Sequence, residues 1–349
     1  MKKIIAIIGA RPQFIKHFPL EKAAKGEINL LALHTGQHYD ADMSQIFFDE
    51  LGMQKPAFLL ETGSGSHAVQ TGKMMIDIEL ILQSEKPDGV IVYGDTNSTL
   101  AGALVASKMH IPIFHIEAGI RSYNKEMPEE VNRLLTDHLS SIMFVPSEDG
   151  VRNLKKEGIT ENVLNVGDIM KDMIESALDS NLLKNMIIDK PYYYTTIHRP
   201  YNTDHKERLT EVLEMLNSLQ KLVVFSIHPR TRNLMASFGL NENMFTNIKF
   251  ISPQGYFNNL SYLAKSDGLI TDSGGMQKEA YWMKKKCITI RKETEWKETL
   301  ENGWNSLCFY DLYDVKEKVE ILPDVYYPLY GDGKAAEKII SKISNFLKK

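Results

Sequence analysis

Residues 89–119 read GVIVYGDTNSTLAGALVASKMHIPIFHIEAG, and this stretch decides the class of the fold. Gly89–Tyr93 and Ile113–Ile116 are short, continuous apolar runs bounded by Gly, Pro or Asp, a pattern typical of strands buried in a parallel sheet. An acidic residue follows each run, Asp95 after the first and Glu117 after the second. Because parallel strands end at the same edge of a sheet, we expect both carboxylates at one rim.

The same alternation of apolar runs and amphipathic segments extends along the whole chain. Further strands of a first series are predicted at 4–8, 30–34 and Ile142–Val145, and helices at 66–83 and Pro128–Leu139. After a helical segment at 171–183, strands of a second series are predicted at 192–197, 222–227, 249–251, 268–270 and 288–290. This pattern predicts an α/β chain of two Rossmann-like domains whose parallel sheets face a central cleft. The predicted domains are 1–168, completed by the C-terminal helix 334–349, and 169–333.

Composition excludes several classes of protein. A chain of 349 residues is long enough for about two domains, and its 43% apolar content excludes a disordered chain. With 41 basic and 45 acidic residues the net charge is -4, so we expect no general attraction for nucleic acid or for an anionic membrane. A small or anionic metabolite is the expected partner.

The two cysteines indicate whether a metal or disulfide site is expected, and the N-terminal sequence indicates the expected cellular compartment. Cys287 and Cys308 have no second thiol or histidine at finger-like spacing, so neither structural zinc nor a disulfide framework is expected, and no metal site is predicted. The first apolar run breaks at residues 9–12 (GARP), too early for a signal peptide. No apolar stretch approaches the roughly 20 residues that span a bilayer. We therefore expect a cytoplasmic protein.

Three carboxylates are candidate acid–base groups. Asp95 and Glu117 follow strands, and Glu129 follows Pro128 at a predicted helix start. Burial at a shared rim raises carboxyl pKa values toward the range useful for proton transfer. Structural explanations are also available. Asp95 would cap a helix that starts at Thr96, and Glu129 would complement a helix dipole or pair with Arg133 at i,i+4 spacing. Glu117 is the hardest to explain in this way, because an acid in apolar sequence needs a partner.

Two turns are candidate anion sites. In residues 9–16 (GARPQFIK), Arg11 and Lys16 are placed to share a phosphate with a helix N-terminus. In residues 271–275 (TDSGG), the glycines allow backbone N–H groups to approach a diphosphate closely. An ordinary turn with a solvated Arg, and an N-cap with flexible glycines, are the respective alternatives. His198 and His228 each follow a strand of the second series and add groups that donate protons or positive charge.

A nicotinamide site is the competing interpretation of residues 63–68 (GSGSHA). This string matches G-x-G-x-x-A, and Glu85 lies about twenty residues further on. However, it lies outside the first strand–turn–helix unit and follows a poor strand, so we expect no nucleotide cofactor of this kind.

Nine motifs together resemble the non-hydrolysing UDP-N-acetylglucosamine 2-epimerases. They run in family order as GARP (9–12), GQH (36–38), GDT (94–96), HIEAG (115–119), PEEVNR (128–133), TIHR (196–199), HP (228–229), DSGGMQ (272–277) and GDG (331–333). The resemblance implies a GT-B-like fold that holds a UDP-sugar between two domains. It also implies an isomerase of nucleotide-sugar metabolism and polysaccharide biosynthesis that needs no cofactor and is a homodimer.

The resemblance also implies roles for individual residues. Asp95, Glu117 and Glu129 would be the acid–base carboxylates, and His198 would support the diphosphate of the departing UDP. The groups implied to bind the UDP-sugar are Arg11, Lys16, Arg133, Ser273, Gly274, Gly275 and, on the ribose, Glu279. Family members also bind a second UDP-sugar as an activator, which would place Gln37, His38 and His228 at an activator site.

The exact sugar is left open between two relatives. Residues 9–16, 34–38, 97–103 and 294–296 look closer to epimerases of UDP-2,3-diacetamido-2,3-dideoxy-glucuronate, whereas PYN at 200–202 departs from the usual continuation after His-Arg. The first expectation is conversion of UDP-GlcNAc to UDP-ManNAc. A GT-B glycosyltransferase, a hydrolysing epimerase and a UDP-sugar sensor are the remaining alternatives.

Chemistry favours one route for inversion at C2. The C2–H bond of an N-acetylhexosamine is not adjacent to a carbonyl, so either a neighbouring carbon is oxidised or the bond to UDP breaks. Because no convincing nicotinamide site exists, we expect anti elimination of UDP to 2-acetamidoglucal, followed by syn re-addition.

Overall fold

Two parallel sheets organise the chain in a computed structural model that describes residues 1–37, 52–179, 183 and 188–348. The chain divides into two compact units, Met1–Ser176 with Leu329–Lys349, and Ala177–Pro328. Both sheets carry their helices in strand–helix–strand crossovers, so the predicted α/β class with two Rossmann-like domains is confirmed.

The first unit contains a sheet of seven strands in the described part of the chain. Their order is β3-β2-β1-β4-β5-β6-β7, and every pair is parallel. The strands are β1 Lys3–Ile8, β2 Asn29–His34, β3 Phe58–Leu59, β4 Gly89–Tyr93, β5 Ile113–Ile116, β6 Ile142–Val145 and β7 Val163–Asn165. The helices are α1 Arg11–Ala24, α2 His67–Glu85, α3 Asn97–Lys108, α4 Pro128–Leu139, α5 Glu148–Lys156, α6 Ile169–Asp179 and, at the C-terminus, α14 Ala335–Phe346.

The second unit repeats this arrangement with six described strands. Their order is β10-β9-β8-β11-β12-β13, again parallel throughout. The strands are β8 Tyr192–Thr196, β9 Leu222–Ser226, β10 Ile248–Ile251, β11 Gly268–Thr271, β12 Lys286–Thr289 and β13 Asn305–Leu307. The helices are α7 Pro200–Thr203, α8 Lys206–Asn217, α9 Pro229–Ser237, α10 Tyr256–Lys265, α11 Gly274–Trp282, α12 Lys297–Glu301 and α13 Asp314–Lys318.

In each sheet, the order in which successive strands are added reverses at one strand pair, although all strands remain parallel. These two pairs position the candidate site residues. In the first unit the reversal lies between β1 and β4, and in the second unit between β8 and β11. Loops that leave parallel strands at such a reversal diverge and leave a crevice where ligands bind. The strands are continuous and apolar because helices cover both faces, and β4 and β5 are buried at every residue.

The helix α6 begins directly after the predicted domain boundary at 168/169, whereas the observed boundary, between Ser176 and Ala177, lies within this helix. Most of it belongs to the first unit, because the Asp172 carboxylate accepts hydrogen bonds from the backbone N–H groups of Ala335 and Ala336, at 3.1 and 2.7 Å. These N–H groups open α14 and have no partner within that helix. A capping interaction over 163 positions therefore attaches the C-terminal helix to the first unit.

Stability is expected to depend on pH through Asp172. Burial raises the pKa of this carboxyl from 3.8 to about 6, although the N–H groups of Ala336 and Ala335 oppose the shift. Since the pKa is higher in the folded chain than in the unfolded chain, its contribution to stability is fully present below the unfolded pKa and is lost as pH rises through about 6. As pH rises through this window, wild type should lose about 2–3 kcal/mol of unfolding free energy relative to Asp172→Asn, which does not titrate. Urea titration of both proteins at several pH values measures this difference. A difference independent of pH would contradict this assignment.

Among the described residues, we find no helix that is both long enough and apolar enough to cross a membrane.

Candidate active site

Glu117 leaves the first sheet directly after β5 in a left-handed conformation, with φ +68°. Tyr93 and Ile116 are paired across β4 and β5, so residues 94–95 and 117 leave the sheet at the same edge, as predicted. Gly94 (φ +59°) makes room there, because a Cβ at this position would lie 3.2 Å from Glu117 Oε2. The left-handed turn therefore directs a carboxylate across the end of the neighbouring strand.

Lys16 on α1 forms an ion pair with Glu117, and both side chains are largely buried. Burial lowers the pKa of Lys16, but the charges of Glu117, Asp168 and Asp95 outweigh it and hold the pKa above its ordinary value. Lys16 was predicted to line a phosphate site with Arg11. The structure brings Lys16 to the carboxylate rim and places Arg11 as the first residue of α1, and their role at a phosphate stays a prediction.

Gln13 occupies the turn where a phosphate was predicted. Its side-chain carbonyl oxygen accepts hydrogen bonds from the backbone N–H groups of Gly9 and Ala10, at 2.7 and 3.1 Å. Its amide group donates to the carbonyl oxygen of Tyr93 at 2.7 Å. The first turn is thus closed by an internal side chain and tied to the end of β4, an arrangement that sequence reasoning missed.

Asp95 is held by Arg133 on α4, and Asn132 donates to the Asp95 carbonyl oxygen at 2.9 Å. Of the structural explanations considered for these acids, the Asp95 cap and the Glu129–Arg133 pair do not describe the structure, whereas Glu129 does lie in the first turn of α4, where it complements the helix dipole. Thr96, not Asp95, caps α3 by accepting from the backbone N–H of Thr99. Arg133 pairs with Asp95 and, at 3.1 Å, with Glu130, while the side chain of Glu129 is exposed in the first turn of α4.

Glu130 is a buried structural acid that the sequence did not single out. Its carboxylate accepts from the backbone N–H groups of Ser122 and Tyr123, both at 2.9 Å, and it pairs with Arg133. Burial raises its pKa, but these donors outweigh burial and lower the pKa overall. Glu130 thereby fixes the loop between β5 and α4, which carries Glu117 at one end and Glu129 at the other.

The predicted activator residues have local partners or lie outside the described residues. Gln37 is buried, and its side-chain oxygen accepts from the N–H and the hydroxyl of Ser98, at 3.0 and 2.6 Å. His228 is exposed in the second unit and accepts the N–H of Arg230 at 3.2 Å as the N-cap of α9. His38 lies outside the described residues.

In the second unit Asp272 organises the reversal between β8 and β11. Its carboxylate is fully buried and accepts from the backbone N–H groups of His198 and Arg199, at 3.1 and 2.9 Å. The amide of Asn202 donates to it at 3.1 Å, and His198 Nδ1 lies 3.1 Å from Asp272 Oδ1. Asp272 therefore fixes the backbone that carries the His198 side chain, which is 41% exposed.

The glycine turn after β11 opens α11, and of its backbone N–H groups that of Ser273 donates to the Thr271 hydroxyl at 3.0 Å. Ser273 is the N-cap of α11 but, in the described part of the chain, its side chain makes no capping hydrogen bond, which argues against a simple cap. A Cβ at Gly275 would meet no described atom within 4 Å. Trp296 holds the turn by donating its indole N–H to the Gly274 carbonyl oxygen at 3.0 Å. Glu279 is buried on the same helix.

These features define a GT-B-like enzyme of two Rossmann-like domains. One carries two acids, each paired with a cation, at the reversal of its strand order, and the other carries a glycine turn at the N-terminus of a helix. The sequence model of the UDP-N-acetylglucosamine 2-epimerase family matches residues 21–344. The chain therefore belongs to the UDP-N-acetylglucosamine 2-epimerase family and is an epimerase, hence an isomerase. The resemblance noted from the motifs is confirmed.

Similar proteins match along nearly their whole length. A UDP-N-acetylglucosamine 2-epimerase homologue of Methanococcus maripaludis is 44% identical over 355 residues, which cover 98% of this chain and 99% of the relative. The UDP-2,3-diacetamido-2,3-dideoxy-D-glucuronate 2-epimerase of Pseudomonas aeruginosa is 43% identical over 350 residues, covering 97% and 98%. The crystal structure of Methanocaldococcus jannaschii UDP-GlcNAc 2-epimerase in complex with UDP-GlcNAc and UDP matches with a TM-score of 0.84 and 40% identity, covering 99% of this chain and 100% of that one.

Proposed function

We propose that this chain inverts C2 of a UDP-N-acetylhexosamine, converting UDP-GlcNAc to UDP-ManNAc without net hydrolysis. The observation that carries the proposal is Glu117, whose carboxylate is directed by a left-handed turn over Gly94 and paired with Lys16. The M. jannaschii epimerase, 40% identical to this chain, forms a complex with UDP-GlcNAc and UDP, which supports a UDP-sugar as the substrate.

The reaction divides into an elimination and a re-addition. A carboxylate takes the C2 proton while the C1–oxygen bond breaks, which leaves 2-acetamidoglucal and UDP. A second, protonated carboxyl group then delivers a proton to the opposite face of C2 as the UDP oxygen rejoins C1. The ion pair with Lys16 favours the ionised form of Glu117, so we assign removal of the C2 proton to Glu117. Asp95 and Glu129 are the remaining acid–base candidates.

The second unit supplies groups for the leaving diphosphate. Backbone N–H groups at a helix N-terminus stabilise developing negative charge, and the turn formed by Ser273, Gly274 and Gly275 opens α11 in this way. His198 adds an exposed imidazole at the same strand reversal, and Glu279 is assigned to the ribose. A second UDP-sugar as activator and a homodimer stay predictions.

A second substrate is proposed because the P. aeruginosa relative, 43% identical, acts on UDP-2,3-diacetamido-2,3-dideoxy-D-glucuronate. The same elimination and re-addition apply to that sugar, since it also carries an acetamido group at C2. The identity of 44% to the M. maripaludis UDP-GlcNAc 2-epimerase homologue leaves UDP-GlcNAc as the first substrate to test.

The test is incubation with each UDP-sugar in D₂O, followed by proton NMR. We expect deuterium at C2 of the epimerised product and of recovered substrate, with the sugar still joined to UDP. Release of free N-acetylmannosamine would instead identify a hydrolysing enzyme, and transfer to an added acceptor without deuterium would identify a glycosyltransferase. Binding of both UDP-sugars without turnover would overturn the proposal in favour of a sensor.

A further inference from the structure

A largely buried group of charged side chains, of which only Glu157 is partly exposed, lies beneath the turns that carry Asp95 and Glu117. The carboxylate of Asp137 on α4 lies 2.6 Å from His115 Nδ1 and 2.7 Å from Arg121 Nη2, and all three side chains are fully buried. Arg121 also pairs with Glu157 at 2.7 Å. His115 belongs to β5, two residues before Glu117. This group, defined by His115, Asp137, Arg121 and Glu157, is termed the buried charge cluster.

Both ring nitrogens of His115 face groups that only accept hydrogen bonds. Nδ1 faces the Asp137 carboxylate, and Nε2 lies 2.8 Å from the carbonyl oxygen of Gly94. Burial raises the pKa of Asp137, but the charges of His115 and Arg121 outweigh it and hold the pKa below its usual range. A neutral imidazole carries one N–H and would set a lone pair against one of these acceptors.

Charge balance within the buried charge cluster leads to the same conclusion. With His115 protonated on both nitrogens, its four described side chains hold two positive and two negative charges. With a neutral ring, Asp137 and Glu157 would share the single positive charge of Arg121; Glu157 is 20% exposed, but Asp137 is fully buried, where incomplete compensation of its charge is unfavourable.

We propose that His115 is held as an imidazolium and is a positioning residue that aligns the turns carrying Asp95 and Glu117. Its Nε2–H fixes the Gly94 carbonyl group directly before Asp95. Through Asp137, which also accepts the Gly119 N–H at 3.1 Å, it fixes the turn directly after Glu117. One cation thereby sets the separation of two candidate acid–base groups. This inference rests on the proposed function for its catalytic consequence and on hydrogen bonding for the protonation state.

The protonation state can be tested without any substrate. In protein labelled with nitrogen-15 histidine at about pH 8, the ring nitrogens of His115 should both give signals of the N–H type, assigned by their loss in His115→Gln. One N–H nitrogen and one lone-pair nitrogen would overturn the proposal. Because this readout is independent of turnover, it remains decisive if wild type fails to epimerise either sugar.

The positioning role is tested by kinetics. Gln at position 115 can donate to one acceptor but carries no charge, so we expect kcat to fall about 10²-fold with KM changed by less than about threefold. Asp137→Asn should show the same split, and the double variant should be no slower than the worse single variant, because both act on one unit. His138→Gln, an exposed histidine on the same helix as Asp137, is the matched control and should keep wild-type kcat. Wild-type kcat in a folded His115→Gln would overturn the positioning role, and if that variant does not fold, the kcat and KM of Asp137→Asn decide it.

Discussion

Replacement of Glu117 by Gln is expected to lower kcat by about 10²- to 10⁴-fold while leaving the affinity for UDP within about twofold of wild type. The carboxylate is the proposed base for the C2 proton, and an amide of the same shape cannot accept that proton. The groups assigned to the diphosphate, His198 and the turn at 273–275, belong to the other unit. Steady-state rates by NMR and UDP binding by calorimetry measure the two quantities separately.

The variant should fold, because Lys16 keeps the nearby charges of Asp168 and Asp95 when Glu117 is neutralised. Glu161→Gln is the matched control: this exposed acid precedes β7 and so lies at the opposite edge of the same sheet. It should retain wild-type kcat. Unchanged turnover in Glu117→Gln would remove this residue from the reaction, and a parallel loss of UDP affinity would show that it contributes to binding instead.

Three fully buried strands were predicted with the bounds that the structure shows. β4, β5 and β6 match the predicted bounds, because a continuous apolar run between Gly, Pro or Asp leaves little ambiguity. The strands that were missed are β3, β7 and β13, with two or three residues each. No residue of β3 or β7 is fully buried, and so short a half-exposed segment carries no periodicity.

The domain boundary depended on contacts far apart in sequence. The segment of α6 is amphipathic, and such a helix packs equally well on either neighbouring domain when judged from its own residues. Its place in the first unit depends on Asp172 and the N-terminal end of α14. No local sequence pattern around Asp172 predicts that its partner lies in the C-terminal helix.

The candidate site was predictable in position but not in its partners. Strand ends located Asp95, Glu117 and His198, because the carboxyl edge of a parallel sheet is fixed once the strands are known. The partner of Glu117 was not predictable, since Lys16 lies 101 positions away and its sequence context suggests a phosphate-binding turn. Gln13 fills that turn, a role that depends on the rotamer of one side chain rather than on any spacing.

Replacement of Gly119 by Ala is expected to destabilise the protein by about 2–5 kcal/mol. Gly119 has φ +76°, where a residue with a Cβ costs about 1–2 kcal/mol. The added Cβ would also lie 2.6 Å from the carbonyl oxygen of Gly150 and 3.0 Å from its Cα, so the turn cannot accept it without moving α5. Overpacking of this kind costs about 1–3 kcal/mol more. The measurement is urea unfolding followed by far-UV circular dichroism, because all three tryptophans lie in the second unit and their fluorescence reports that unit.

Gly158→Ala separates the two causes of this destabilisation. Gly158 also lies in the first unit with φ +81°, but among described atoms nothing lies within 4 Å of the position its Cβ would take. The substitution therefore carries the conformational cost without the steric one, and reduced freedom of the unfolded chain offsets part of it, leaving about 1 kcal/mol. If both variants lost the same stability, the close approach of Gly119 to α5 would contribute nothing. Because Gly119 also donates to Asp137, the larger loss should coincide with reduced kcat in the protein that remains folded, while Gly158→Ala should keep its kcat.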